Sequence, residues 1–332
     1  MTALLLVALP VLGPAQEPQR AEDLPTIRRT VDLVNITFTV QTRRQKLVTD
    51  LEQKNFRILE DGQPQRILHF SRETDLPLRI GILLDTSNSI RPRLKFEQEA
   101  AIDFLHHVMR RGKDQAFLMI FDNEPYVIHD FTYDLGSLTD AILKLRAGGG
   151  TALYDAIYDA ARNKLINATP DRENRELRRI LVVISDGDDN LSRRSRLEAL
   201  ELAQRAEVVV YPISTSTDWV SLSGTTPQKY QKTPGDQVLE FFADETGGRA
   251  FFPYRLDDLS QSFLDIGNEL RSQYSLAYTP TNRKLDGKFR SIKIETDRGG
   301  MVIRSRKGYF APATSADSGS RQSRPGSPPG QP

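Results

Sequence analysis

The chain has 332 residues, of which 27% are charged and 38% hydrophobic, and its formal net charge is +1. This composition is typical of globular proteins, and the length leaves room for more than one domain. The near-neutral charge argues against a nucleic-acid binder, because such proteins usually carry a basic patch and a high isoelectric point. The sequence contains no cysteine, which excludes disulfides, thiolate metal sites and cysteine nucleophiles.

Residues 1–15 have the pattern of a secretory signal peptide. An apolar stretch at 3–12 is followed by Gly13-Pro14-Ala15, where a signal peptidase would cut. The apolar stretch is too short to span a bilayer, and no later stretch is long and apolar enough to do so. We therefore expect an exported protein, either secreted or held in the periplasm or cell envelope, without an integral membrane segment.

The next part of the chain, residues 26–75, has the pattern of antiparallel β-structure. Residues 34–40 alternate strictly between apolar and polar side chains, which predicts a strand with one buried face. Two further strands are predicted at 56–60 and 65–70, joined by the strong turn signal Asp61-Gly62.

From Leu78 the pattern changes to alternating strands and helices, which predicts an α/β domain over residues 76–272. Strands are predicted at 80–84, 116–121, 126–131, 180–184, 208–213 and 250–252. Helices are predicted at 94–111, 138–145, 153–165, 196–205, 238–246 and 259–270. The long loop at 214–234, which carries the sole tryptophan, Trp219, is either a surface insertion or part of a ligand surface.

The C-terminal part returns to β-structure. Strands are predicted at 274–278, 289–295 and 301–305, and residues 311–332 are rich in Ser, Pro and Gly, which predicts a disordered tail. Neither β segment alone has enough strands for a stable sheet. We therefore expect the segments 26–75 and 273–310 to form one small sandwich of about six strands, into which the α/β domain is inserted.

Polar side chains follow two central strands of the predicted parallel sheet. The apolar run 80–84 ends in Asp85, Ser87 and Ser89, which spell D-x-S-x-S, and the run 180–184 is followed by Asp186. A glycine loop, 148–150, presents Thr151 between them. Because ligands of open α/β sheets bind at the carboxyl ends of the strands, we expect these side chains to meet at one edge. Hard oxygen ligands suit Mg²⁺, Mn²⁺ or Ca²⁺.

The same acids also have structural explanations. Asp85 and Asp186 would serve as helix caps if no metal binds. Asp122, Asp188 and Asp189 are better explained as solvated loop charges than as metal ligands. Asp155, one helical turn past Thr151, would either support a ligand through a hydrogen bond or favour the N-terminus of its helix.

The segments Asp85–Ser89, Gly149–Thr151 and Ser185–Gly187 together resemble the metal-ion-dependent adhesion site of the von Willebrand factor type A domain. The resemblance covers about 78–271 and implies a central, mostly parallel sheet flanked by helices. It also implies that Ser87, Ser89 and Thr151 contact the metal closely, while Asp85 and Asp186 act directly or through water. The whole chain is similar to the secreted "VWFA-related domain" proteins of acidobacteria.

We therefore expect a non-enzymatic adhesion or scaffold module that grips an acidic group of a protein partner through a divalent cation. A metal-dependent hydrolase is the first alternative, although the chain lacks a G-x-S-x-G elbow, a Walker A motif and a G-x-G-x-x-G motif. A structural subunit with a vestigial metal site is the second.

Overall fold

The computed structural model describes residues 33–73, 76–169, 176–216, 232–253 and 256–313. The predicted signal peptide, Trp219 and residues 314–332 of the predicted tail lie outside these ranges. Within them, no helix is both long enough and apolar enough to cross a membrane.

The strands and helices follow one another in the predicted order. The strands are β1 Val34–Thr42, β2 Phe56–Glu60, β3 Gln63–Gln65, β4 Ile67–Glu73, β5 Leu78–Asp85, β6 Gln115–Phe121, β7 Pro125–Thr132, β8 Arg178–Ser185, β9 Val208–Ser214, β10 Gln273–Tyr278, β11 Phe289–Thr296, β12 Met301–Ser305 and β13 Gly308–Phe310. The α-helices are α1 Leu94–Val108, α2 Leu135–Leu143, α3 Leu153–Asp159, α4 Arg196–Arg205, α5 Pro234–Thr246 and α6 Leu256–Arg271. A 3-10 turn spans Gln53–Asn55, and a π-helical segment, Ala160–Leu165, extends α3.

The middle of the chain forms a five-stranded sheet in the order β7-β6-β5-β8-β9. All its pairings are parallel except the one between β6 and the edge strand β7. Helices cover both faces: α1, α2 and α6 pack on one side, and α3, α4 and α5 on the other. Every residue of β5 is buried, which explains its unbroken apolar run.

The two flanking segments together form a sandwich of two antiparallel sheets, ordered β12-β1-β10-β4 and β13-β11-β2-β3. Each sheet contains strands from both ends of the chain, and their inner faces share one apolar core that includes Phe38, Ile58, Tyr274 and Ile292. The predicted fold class, a doubly wound sheet inserted in a small sandwich, is therefore confirmed. How far the sandwich and the inserted part form separate domains with the predicted boundaries stays a prediction.

Three details of the sequence prediction differ from the structure. The described flanks contain eight strands rather than about six. The predicted strand 65–70 is split, because the β2–β3 hairpin ends at Gln65 and the chain then crosses to the other sheet as β4. The predicted strand 250–252 is a single bridge between Ile213 and Phe251. In addition, the Ala311 N–H donates to the carbonyl of Lys288 at 2.9 Å, so described structure continues past residue 310.

Candidate metal centre

The two predicted carboxylates lie at the same edge of the parallel sheet. Strand β5 ends at Asp85, and its neighbour β8 ends at Ser185, directly before Asp186. The strands are in parallel register, with Leu84 opposite Ile184. Their carboxyl ends therefore meet, as expected for a ligand site in an open α/β sheet.

Four of the five predicted ligands are joined by a chain of hydrogen bonds. The backbone N–H of Ser87 donates to Oδ1 of Asp85 at 2.9 Å, so the D-x-S-x-S segment curls around the Asp85 carboxylate. The Ser87 and Ser89 hydroxyl oxygens are 2.9 Å apart. The Ser89 hydroxyl donates to Oδ2 of Asp186 at 3.1 Å. Side chains separated by a hundred residues in sequence thus form one oxygen-rich cluster.

Thr151, the fifth residue, lies between the two loops that carry the other four. The glycine loop before it is attached to the β5 loop, because Gly148 N–H donates to the Thr86 carbonyl at 2.7 Å and Asn88 N–H to the Gly149 carbonyl at 3.0 Å. The Thr151 carbonyl accepts from the Asn190 N–H at 3.0 Å, which attaches it to the β8 loop. Among the described residues, the Thr151 hydroxyl takes no part in the hydrogen-bond chain of the other four.

Burial changes the acidity of the central carboxylate. Asp85 is 0% exposed, and this desolvation raises its pKa to about 6. Hydrogen bonds from Ser87 and Ser185 oppose the rise, whereas the nearby charge of Asp186 adds to it. A positive ion at this position would favour the ionised carboxylate, so protons and a cation would compete for Asp85.

Ser185 orients the Asp85 carboxylate through a hydrogen bond, a role that we did not predict from the sequence. Its hydroxyl donates to Oδ2 of Asp85 at 2.7 Å and accepts from the Gly187 N–H at 3.1 Å. Both oxygens of Asp85 are thus held in fixed directions. Ser185 is the first residue of the Ser-Asp-Gly motif, so its position near the site could be predicted from the sequence. Its hydrogen bond to Asp85 on the neighbouring strand could not.

Gly187 allows this loop to pack tightly. Its φ is +83°, and a Cβ atom at this position would lie 2.2 Å from the Gly235 carbonyl oxygen. No side chain fits at that distance, and L-residues rarely adopt that φ. The glycine of the Ser-Asp-Gly motif is therefore required by the backbone rather than by a ligand.

Asp155 and Asp189 attach α3 to the loop after β8. The Asp155 carboxylate accepts the N–H groups of Arg193 and Arg194, both at 2.9 Å, and Asp189 accepts the N–H of Tyr154 at 3.0 Å. Of the two explanations considered for Asp155, these contacts favour a structural one. Asp189, which we predicted to be a solvated loop charge, instead connects the loop after β8 to α3 through its hydrogen bond with Tyr154.

A further buried carboxyl group, Glu97 in the first turn of α1, lies near the cluster. It is 0% exposed, and neither of its oxygens has a hydrogen-bond partner among the described residues. Burial, followed by the nearby charge of Asp85, raises its pKa well above the ordinary value. The nearby Thr215 hydroxyl lowers this pKa somewhat, but it falls short of hydrogen-bonding geometry. Burial therefore favours the protonated, uncharged form of Glu97.

The donor set fits a hard cation. It contains two carboxylates and three hydroxyls, with no nitrogen or sulfur atom, which is the chemistry of Mg²⁺, Mn²⁺ and Ca²⁺ sites. In the described parts of the chain, no group of three or more His, Cys, Asp or Glu side chains is placed to hold a metal. Any cation at this edge would therefore depend on hydroxyl ligands for much of its coordination.

Residues 80–188 match the family model of the von Willebrand factor type A domain. All five predicted ligands lie in this segment. No curated protein matches the chain.

Several solved structures are similar over part of the chain. The von Willebrand factor type A protein from Catenulispora acidiphila is 12% identical, with 86% of this chain and 74% of that one covered and a TM-score of 0.46. BatB from Bacteroides thetaiotaomicron is 18% identical, with 59% and 100% covered and a TM-score of 0.44. Proximal thread matrix protein 1 from the mussel byssus, described with a zinc-occupied MIDAS motif, is 15% identical, with 64% and 49% covered and a TM-score of 0.45.

Proposed function

Because the chain contains a von Willebrand factor type A domain at residues 80–188, we propose that it is a metal-dependent protein-binding module. The observation that carries the proposal is the hydrogen-bond chain from Ser87 through Ser89 to Asp186, beside the buried Asp85. It gathers oxygen ligands at the edge where this type of sheet binds ligands.

The predicted ligands would contribute to cation binding in two ways. Ser87, Ser89 and Thr151 would offer hydroxyl oxygens, and Asp85 and Asp186 would supply the negative charge, either directly or through water. Ser185 would orient Asp85, as residues behind metal ligands commonly do. Mg²⁺ is the cation we propose, with Mn²⁺ or Ca²⁺ as substitutes of the same chemistry.

A bound divalent cation would supply an electrophilic position that an acidic side chain of a partner protein can occupy. The two carboxylates, Asp85 and Asp186, would neutralise only the formal charge of a divalent ion. No third carboxylate in the predicted ligand set would compete with a partner's acidic group for the ion. Burial favours the uncharged form of Glu97, which limits any negative charge from that side chain. We therefore propose that the partner contributes an acidic group and that the protein is an adhesion or scaffold module rather than an enzyme.

The apolar N-terminal stretch supports a location outside the cytoplasm. On that basis we propose that the partner is a protein of the cell envelope or the extracellular space. The proposal requires no nucleic acid.

The test measures Mg²⁺ binding by titration calorimetry and partner capture from envelope extracts. We expect saturable Mg²⁺ binding by the wild type, its loss in Asp186→Ala, and no change in the control Asp140→Asn, an exposed acid on α2. Capture should require Mg²⁺, disappear with EDTA and be absent for Asp186→Ala. A wild type that binds no divalent cation would contradict the proposal and indicate a vestigial site. Turnover of phosphoesters or peptides that depends on Asp186 would instead indicate a hydrolase.

A further inference from the structure

A cavity of about 310 Å³ lies at the opposite edge of the parallel sheet from the candidate metal centre. Its walls come from the amino ends of β8 and β9 and from the sandwich strands β1 and β12, and they include Arg178, Val208, Thr37 and Arg304. This volume is at the lower end of the range for small-molecule sites. The cavity therefore lies where the inserted α/β part meets the sandwich.

The lining of this cavity carries excess positive charge. It contains four arginines and two glutamates, namely Arg178, Arg179, Arg304, Arg306, Glu176 and Glu207. Because arginine stays protonated in proteins, four positive charges face at most two negative ones, which gives a net charge of at least +2. A partly enclosed space with such a lining attracts anions.

Three of the four arginines are held by partners within the protein, and one of them, Arg178, donates to the Leu270 carbonyl. Arg306 contacts Glu207 at 2.9 Å and donates to the Asn35 carbonyl at 2.8 Å. Arg179 donates to the Leu165 carbonyl at 2.7 Å. These three side chains are therefore already engaged within the protein, and one of the two glutamates, Glu207, is paired with Arg306.

Arg304 and Gln273 also line the cavity, and each has one buried polar atom without a hydrogen-bond partner among the described residues. Within the described ranges, neither Nη1 of Arg304 nor Oε1 of Gln273 has a hydrogen-bond partner. Gln273 is only 5% exposed. Buried polar atoms are rarely left without partners, because each one costs about 1–3 kcal/mol.

Glu269 interacts electrostatically with Arg304, but its carboxylate is not a hydrogen-bond partner of the unpaired Arg304 atom. Burial raises the pKa of Glu269 and the nearby Arg304 charge opposes that rise, but Glu269 is not among the residues that line the cavity. Its carboxylate accepts hydrogen bonds from Thr39 at 3.4 Å and from Gln41 at 3.3 Å. A second arginine, Arg249, also lies near Glu269 and interacts with Asp265 as well.

We propose that this cavity binds a small oxyanion of the phosphate class, held by Arg304 and Gln273. Monohydrogen phosphate offers acceptor oxygens to the guanidinium N–H and a hydroxyl that can donate to the Gln273 oxygen. Arginine suits this role, because its planar fork matches phosphate oxygens. The bound anion would bridge β12 and β10 of the sandwich to the start of β8, independently of any metal at the opposite edge.

The test is calorimetric titration of the full chain with inorganic phosphate, in buffers matched in ionic strength with chloride. We expect saturable binding of one phosphate per chain. Arg304→Gln should weaken it at least about tenfold, because a charge-assisted hydrogen bond is lost. The matched control Arg283→Gln, an exposed arginine on the 279–288 loop, should bind like the wild type. Absence of phosphate binding by the wild type, or equal affinity in Arg304→Gln, would overturn the proposal.

A second variant adds a negative charge to the cavity instead of removing a positive one. It tests the proposal even if Arg304→Gln does not fold. Thr37→Glu places a carboxylate at the cavity wall, where it would take the place of the anion. We expect this variant to lose phosphate binding and, without phosphate, to melt at or above the wild-type temperature. If it melts lower and still binds phosphate, the proposal is wrong. Melting temperatures that rise equally with phosphate in all variants would indicate only the general salt effect, which would also overturn it.

Discussion

The substitution Asp85→Asn should abolish metal binding and yet stabilise the metal-free protein at pH 7. Asp85 is 0% exposed, and burial raises its pKa to about 6. An acid with a raised folded-state pKa stabilises the fold fully below its unfolded pKa, near 4, and that contribution is lost as the pH rises through 6. At pH 7 the ionised carboxylate therefore destabilises the metal-free fold.

The size of the Asp85 pKa shift sets the expected stabilisation by Asp85→Asn. A rise of about two pKa units corresponds to about 3 kcal/mol, at 1.36 kcal/mol per unit. Asparagine keeps the acceptor for the Ser87 N–H but places an amide where the Ser185 hydroxyl now donates, which offsets part of the gain. We expect a net stabilisation of roughly 1–3 kcal/mol, or a melting temperature higher by about 2–10 °C.

The assay is thermal and chemical unfolding in EDTA and in Mg²⁺ between pH 4 and pH 8. In EDTA, the stability difference between Asp85→Asn and the wild type should open between pH 4 and 6 and then stay constant. In Mg²⁺ the wild type should gain stability above pH 6, and the variant should not. The control Asp140→Asn should stay within about 0.5 kcal/mol of the wild type throughout. An Asp85→Asn protein that is less stable than the wild type in EDTA at pH 7 would refute the reasoning.

Three further substitutions test the surrounding structure. Gly187→Ala should destabilise the fold by more than about 3 kcal/mol in urea unfolding, because its Cβ would overlap backbone and its φ is positive. Ser185→Ala should weaken Mg²⁺ binding about 10- to 100-fold in calorimetry, because Asp85 loses its orienting donor, and unchanged affinity would contradict that role. Tyr278→Phe should cost about 1.5–3 kcal/mol in urea unfolding, because its hydroxyl donates to the buried Glu60 carboxylate at 2.7 Å.

The sequence predicted the inserted part well because its strands are buried on both faces. The runs at 80–84 and 180–184 are continuous and apolar, and they form the two central strands, β5 and β8. The split β-sandwich followed from strand counting, since neither flank alone could form a stable sheet.

The outer face of β1 could not be predicted from its pattern. Alternation over 34–40 indicated one buried face, yet Thr39 is 1% and Gln41 is 3% exposed. Their side chains donate to Glu269 on α6, so the inserted part covers the polar face of the sandwich. The polar residues of β1 therefore predicted a solvent-exposed face, whereas the structure buries them against Glu269. The sequence pattern could not show this contact, because Glu269 lies more than 200 residues away in the chain.

The candidate site was predictable from its motifs but not from its supporting residues. The D-x-S-x-S run and Asp186 stand next to apolar strands, which marks them in the sequence. Glu97 occupies a helix position that any solvated glutamate would fit, and only the structure places it in a buried position near Asp85. Charged residues become informative only when their burial is known.

The central claim is that five oxygen-bearing side chains hold one cation, and a crystal soaked in Mn²⁺ tests it most directly. We predict one anomalous difference peak at the carboxyl edge of the sheet, roughly 2.0–2.6 Å from oxygens of Ser87 and Ser89. Thr151 and Asp186 should reach that ion directly or through one water. A fully soaked crystal with no peak at this edge, or with a peak that Thr151 and Asp186 cannot reach, would contradict the account.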